Sequence, residues 1–160
     1  MTYRITGLEP SRFADLFALD DAALAARSAR RVTAAASRGY PCRVSLEDAE
    51  EGESLILLHH TSHDVATPYR SAYAIYVRKA ASEPARYVDE CPPVFAGRPL
   101  GLRGFDTEGN LADARLALPG EADLRIRELL DNPAIAYIHA HNAAHGCFAA
   151  RIDRHEGTGQ

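Results

Sequence analysis

Apolar and polar positions alternate most plainly from Ser71 to Lys79, where Tyr73, Ile75 and Val77 are interleaved with smaller or polar residues. That two-residue period predicts a strand with one buried face. Tyr3 to Gly7, Ser54 to His60, Leu100 to Phe105, Leu111 to Leu118, Ala134 to His141 and Gly146 to Asp153 read as further strands. Leu100 to Phe105 and Leu111 to Leu118 are joined by Asp106 to Asn110, where Gly109 and Asn110 tolerate the positive φ of a hairpin turn. Helical spacing is predicted from Pro10 to about Leu19, with Phe13, Leu16 and Phe17 as the apolar stripe, and from Asp21 to about Arg27, with Asp20 as N-cap. Glu121 to Leu130 carries the strongest helical pattern, with Leu124, Ile126, Leu129 and Leu130 apolar, acidic residues early, and Asn132-Pro133 as the stop.

Between these elements the signals weaken. Ser28 to Ser37 suits helix or strand, Cys42 to Leu46 reads as extended, Glu47 to Glu53 as an acidic turn, and Thr61 to Pro68 as loop. Pro84, Pro92, Pro93 and Pro99 make Ala80 to Pro99 an ordered surface loop. The order of elements is too irregular for repeated βαβ units. The expectation is an α+β fold: a mostly antiparallel sheet with helices packed on one face, in a single compact domain over residues 1–154, and a frayed tail over 155–160.

Composition narrows the function classes. The 160 residues carry a net charge of −4, which argues against the clustered basic surface that a nucleic-acid backbone requires. The longest aliphatic run, Leu55 to Leu58, is far too short to cross a bilayer, and no basic stretch precedes an apolar one near Met1. A soluble, cytoplasmic protein without membrane or nucleic-acid partners is expected. Cys42, Cys91 and Cys147 are odd in number and widely spaced, as suits reduced thiols. Lys79 is the sole lysine among many arginines in an alanine-rich chain, a bias of a GC-rich genome rather than of chemistry.

No phosphate loop, GxSxG, HExxH or dinucleotide fingerprint is present. Two histidine-bearing segments remain, His59 to Asp64 and His139 to Cys147. An HxH on a strand places His139 and His141 on one face, but a metal needs further donors converging at about 2.0 to 2.3 Å. Those donors lack the spacing, so no metal site and no cofactor are expected. Arg70, just ahead of a strand, and Arg43, beside Cys42, are candidates to clamp a carboxylate or phosphate.

Pro41 to Ala49, Pro68-Tyr69-Arg70-Ser71, Leu102-Arg103, Tyr137-Ile138-His139, Asn142 and Gly146 to Arg151 together resemble the bacterial family called domain of unknown function number 1203. The resemblance spans almost the whole chain and brings no activity, cofactor or catalytic residue with it. It points to His139, Asn142, Cys147 and Arg151 as positions to watch. It also implies that arginine is common at the position of His141, which weighs against a metal ligand there.

Residue parity sharpens one expectation. If Ile138 is buried with Phe148 and Ile152, the last two strands must be joined by an odd number of unpaired residues, three or five. His139 and Cys147 then share a face, close enough for an imidazole to influence a thiol. The leading expectation is therefore a small-molecule-binding domain, and an enzyme if Cys147 and His139 act as a catalytic pair, with Arg70, Arg151, Asn142, Cys42 and Arg43 around the ligand. The alternative is a non-catalytic interaction or homo-oligomeric assembly domain. A metal-dependent enzyme ranks third.

Overall fold

Strand pairing organises the molecule into two antiparallel sheets. The computed structural model describes residues 1–157, and among these the strands are β1 Tyr3–Thr6, β2 Ala29–Thr33, β3 Ser54–His63, β4 Ser71–Arg78, β5 Arg86–Val88, β6 Leu100–Phe105, β7 Leu111–Ala117, β8 Tyr137–Asn142 and β9 Phe148–Arg154. Six form one sheet in the order β5-β1-β9-β8-β6-β7, and β2-β3-β4 form the other. The expected antiparallel pairing is present, but divided between two sheets. The helices are α1 Asp21–Ala26 and α2 Ala122–Leu130.

The helices serve different cores and do not form one layer. Ile126, Leu129 and Leu130 of α2 are buried with Ile5, Leu102, Ile138 and Ile152 of the larger sheet. Leu24 of α1 is buried with Phe13, Ile56, Ile75 and Val77 against the smaller sheet. The local signals for both helices hold: the Asp20 carboxylate accepts from the Ala23 amide at 2.8 Å, satisfying one of the free donors of the first turn of α1. Leu124 is the exception on α2, since its side chain is exposed.

The expected helix from Pro10 to Leu19 is instead two short 3-10 turns, Pro10–Arg12 and Ala14–Ala18, which still bury Phe13 and Leu16. Ser28 to Ser37 resolves into β2 because its residues pair with β3, from Ala29 opposite Leu58 to Thr33 opposite Ser54. β3 runs three residues past its expected end, because β4 continues to pair with it as far as Ser71 opposite His63. Cys42 to Leu46 is a turn rather than an extended segment, closed by Leu46 N–H donating to the Cys42 carbonyl at 3.1 Å. The proline-rich segment contains β5 and a 3-10 turn, Pro93–Phe95. His155 N–H donates to the Thr2 carbonyl at 2.9 Å, so the chain is still tied down where fraying was expected to begin. The rest of that expectation, residues 158–160, lies outside the described residues.

The β8–β9 hairpin decides the site. His139 lies opposite Arg151 and Ala140 opposite Ala150, but His141 lies opposite Phe148. Ala149 is therefore an extra residue, a β-bulge that reverses the parity of everything between it and the turn. Asn142 N–H donates to the Cys147 carbonyl at 2.9 Å and Gly146 N–H to the Asn142 carbonyl at 2.8 Å, leaving Ala143 to Gly146 as the turn. Gly146 has φ +79°, a conformation that a side chain would strain. The expected odd loop is absent because the bulge supplies the missing residue. Ile138 is buried with Ile152, while Phe148 faces the other way.

Candidate functional site

The site begins with a closely packed turn. Cys42 N–H donates to the Glu47 carbonyl at 3.0 Å, and the buried Leu46 takes φ +54°, the left-handed conformation that closes the turn. Arg43 N–H donates to the Tyr76 carbonyl on β4 at 3.1 Å, and the Arg43 carbonyl accepts from Leu8 N–H at 2.8 Å. The end of β1 presses against this turn so closely that a Cβ on Gly7 would lie 1.9 Å from the Val44 carbonyl oxygen. Glycine is required there because two backbones touch.

This packing sends the Arg43 side chain into the protein, where it is 2% exposed. Its Nε donates to the Phe148 carbonyl at 2.7 Å, Nη1 to the Pro41 carbonyl, and Nη2 to Cys147 Sγ at 3.1 Å. Asn142 Nδ2 donates to the same sulfur at 3.4 Å. No carboxylate pairs with Arg43 among the described residues. Burial pushes the guanidinium down from its ordinary range, and the Cys147 sulfur, then that of Cys42, counters the shift. The Cys147 sulfur thus accepts from two side-chain donors, one of them a guanidinium that has no carboxylate among the described residues.

Cys147 opens onto a groove of about 390 Å³ between the β8–β9 turn and the smaller sheet. Leu57, Tyr73, Ala74 and Tyr76 line it from β3 and β4, Asn142 to His145 from the turn, and Pro41, Arg98 and Pro99 from the loops. Arg98 is held by Asp48 through two hydrogen bonds of 3.0 and 2.7 Å, so its charge is already matched.

The other face of the hairpin is different. His139 and His141 pack with Phe148, His63 and Phe105: the His139 ring is 5.0 Å from those of His63 and Phe148. His63 Nδ1 donates to the Tyr69 carbonyl at 2.9 Å, which leaves Nε2 to accept from the Tyr137 hydroxyl at 2.6 Å. His141 Nδ1 donates to the Gly146 carbonyl at 3.0 Å, whereas His139 Nδ1 is buried without a partner. Burial above all lowers His139 to about 3, and its electrostatic interactions with His63 and Arg151 act in the same direction. Burial likewise lowers His141 to about 4, with Arg103 adding to the effect. Both are neutral imidazoles near pH 7.

His139 and Cys147 thus lie on opposite faces. Asn142 reaches the sulfur, and its strand neighbour His141 points the other way with His139 and Phe148. The shared face inferred from parity fails because the bulge at Ala149 turns Phe148 towards the histidines. Of the other sequence candidates, Arg43 and Asn142 meet Cys147. Cys42 is fully buried, and its sulfur accepts from the Val44, Ser45 and Arg78 amides at 3.4, 3.5 and 3.3 Å, a structural nest away from the groove wall. Arg151 points outward, paired with Asp153 and lying 4.1 Å over the Tyr137 ring. Arg70 is exposed and sits 3.5 Å from Asp64. Sequence reasoning missed Tyr73, Arg98 and His145 as residues lining the groove. His145 lies within the histidine-bearing segment His139 to Cys147, but no local signal places it beside Tyr73 and Arg98, because tertiary packing brings the three together.

Among the described residues, no cluster of three or more His, Cys, Asp or Glu side chains is arranged to hold a metal ion, and no helix is long and apolar enough to cross a membrane. No curated protein and no solved structure matches the chain. The family model described as Protein of unknown function (DUF1203) matches residues 39–154, a span that contains the whole groove with Arg43, Asn142 and Cys147, and the chain belongs to that family.

Proposed function

We propose that residues 1–154 act as one domain that binds a small molecule in the groove and presents Cys147 to it as a nucleophile. One observation carries the reading: a buried guanidinium with no carboxylate donates to a half-exposed sulfur at a cavity wall. Arg43 stabilises negative charge on Cys147 Sγ, and Asn142 orients the same atom. No imidazole is needed to remove a proton if the sulfur already carries its charge, so His139 has no part in this chemistry. His139, in this reading, is a buried packing residue.

Alkylation tests it directly. With iodoacetamide near pH 7, Cys147 of the folded chain reacts faster than Cys147 of the denatured chain, while Cys42, fully buried, stays unmodified. Arg43→Gln removes the advantage of Cys147. Peptide mapping that finds Cys147 inert in the folded protein refutes the nucleophile. A thermal-shift screen of small electrophiles and metabolites then identifies what the groove takes.

A second reading, a homo-oligomeric assembly domain, is supported by Leu116, Leu118 and Leu124, which are exposed on and around edge strand β7 and helix α2. Sedimentation over a range of concentrations tests it, and a monomer throughout rejects it.

A further inference from the structure

A second cavity, of about 400 Å³, lies on the other face of the β8–β9 hairpin and shares Tyr73 and His145 with the Cys147 groove, so the two meet at those side chains by the turn. Its wall includes Ser62, Arg70, Arg103 and His141, and no aspartate or glutamate.

The state of each polar group there is informative. Ser62 Oγ donates to the Ser71 carbonyl at 3.4 Å, and Ser71 Oγ to the Tyr69 carbonyl at 3.0 Å. His141 Nδ1 is engaged with the Gly146 carbonyl, so its Nε2 is an acceptor and the ring is uncharged. Arg103 is half-buried on β6, in register between Ala114 of β7 and His139 of β8. Among the described residues it forms neither an ion pair nor a hydrogen bond, although a guanidinium carries five donors. Arg70 has only Asp64, at 3.5 Å between two exposed side chains, a contact that solvent and salt readily exchange. Arg103 therefore faces a concave space with its charge unmatched among the described residues, and Arg70 lines the same space with only an exposed contact to Asp64.

We infer that this second chamber is an oxyanion subsite in which Arg103, with Arg70 at its mouth, binds the carboxylate or phosphate of the molecule whose reactive end reaches Cys147. The inference rests on the groove being a ligand site, as proposed above, and it adds the substrate class: a small anion with an electrophilic group, and not a neutral or cationic compound. Carboxylate and phosphate share the planar or tripodal oxygen array that a guanidinium fork pairs with bidentately. The positive potential of Arg103 is also felt by His139 and His141, which both stay neutral beside it.

Calorimetric titration of the full chain with inorganic phosphate and with malonate, at constant ionic strength held by chloride, decides the matter. One or both bind with one-to-one stoichiometry; stronger phosphate binding assigns a phosphoryl ligand and stronger malonate binding a carboxylate. Arg103→Met weakens binding by about tenfold or more, as loss of a charged hydrogen-bonding partner does. It leaves the melting temperature unchanged because no other group depends on that side chain. Arg70→Gln, at an exposed position where folding is unaffected, weakens binding by a smaller factor. Cys147→Ser binds the anion as the parent does, so an inert Cys147 with intact anion binding would defeat only the nucleophile. No binding of either anion up to about 10 mM, or parent-like affinity in both arginine variants, overturns the subsite.

Discussion

On one face of the β8–β9 hairpin, Cys147 and Asn142 open onto the groove beside Arg43; on the other, His139 is closed in by Phe105, Phe148 and His63. Both faces are built from the same two strands and both carry residues with catalytic potential. They differ in what surrounds the polar atoms. Cys147 has two side-chain donors and a cavity, so its sulfur can be both polarised and reached. His139 has low-dielectric surroundings, cationic neighbours and one nitrogen without a partner, so its imidazole is held neutral and out of reach. Burial that ends at a cavity wall leaves a polar group within reach of a ligand, whereas burial that continues around it makes a titratable group a pH-dependent packing element.

The largest effect separating the faces is expected from Arg43→Gln. It removes a buried guanidinium whose hydrogen bonds to the Pro41 and Phe148 carbonyls and to Cys147 join the Cys42 turn to β9, and should cost about 3 to 5 kcal/mol of stability in a denaturant titration. It should also bring Cys147 alkylation down to the rate of the denatured chain. A variant as stable as the parent would show that the guanidinium does not bridge the two sheets.

Leu129→Ala provides the contrast from outside both faces. Leu129 is fully buried in the larger core, so about 2 to 5 kcal/mol should be lost. At denaturant-free conditions where the variant stays folded, its Cys147 alkylation rate and its pH dependence should match the parent. Altered thiol reactivity would mean that the groove is coupled to the whole core.

Acid should act on the buried histidines first. In the unfolded chain each histidine titrates near its ordinary value of about 6.5, while in the folded chain His139 sits at about 3 and His141 at about 4. Below pH 6.5 the unfolded state therefore binds more protons than the folded one, and stability falls with pH. The stabilisation is complete above pH 6.5 and is lost progressively as pH drops towards 4, by a few kcal/mol in all. His60, lowered by burial to about 4 against Phe13, adds to the same trend. Denaturant midpoints measured between pH 7.5 and 5, above the range where carboxylates titrate, isolate this contribution. His139→Phe should flatten the slope and, by removing the orphaned Nδ1, change stability at pH 7 by less than about 1.5 kcal/mol. An unchanged slope in that variant would place the titrating group elsewhere.

The smallest effect is expected from Asn142→Ala. It deletes one donor to the sulfur and leaves Arg43 in place, so alkylation of Cys147 should slow by a few-fold, with a stability change near about 1 kcal/mol. A rate equal to that of Arg43→Gln would make the amide, not the guanidinium, the dominant influence on the thiol.

What was legible in the amino-acid sequence is what is set within a few residues along the chain. The alternation of Ile75 and Val77, the Asp20 cap, the Gly109-Asn110 turn and the Leu129 face of α2 each follow from a side chain's period or from a backbone preference that needs no distant partner. Arg43, Asn142 and Cys147 could be nominated on the same terms, as residue types capable of binding and chemistry. Which of them meet was settled elsewhere. Arg43 reaches a carbonyl and a sulfur more than a hundred residues away, because a turn closed by a left-handed Leu46 is wedged between Gly7 and β4. The separation of His139 from Cys147 depends on one bulged residue, Ala149, whose identity carries no signal, since an alanine fits a regular ladder as well as a bulge. Local preference is written residue by residue, but strand register and the face a side chain takes are properties of the paired sheet, and those only the tertiary structure decided.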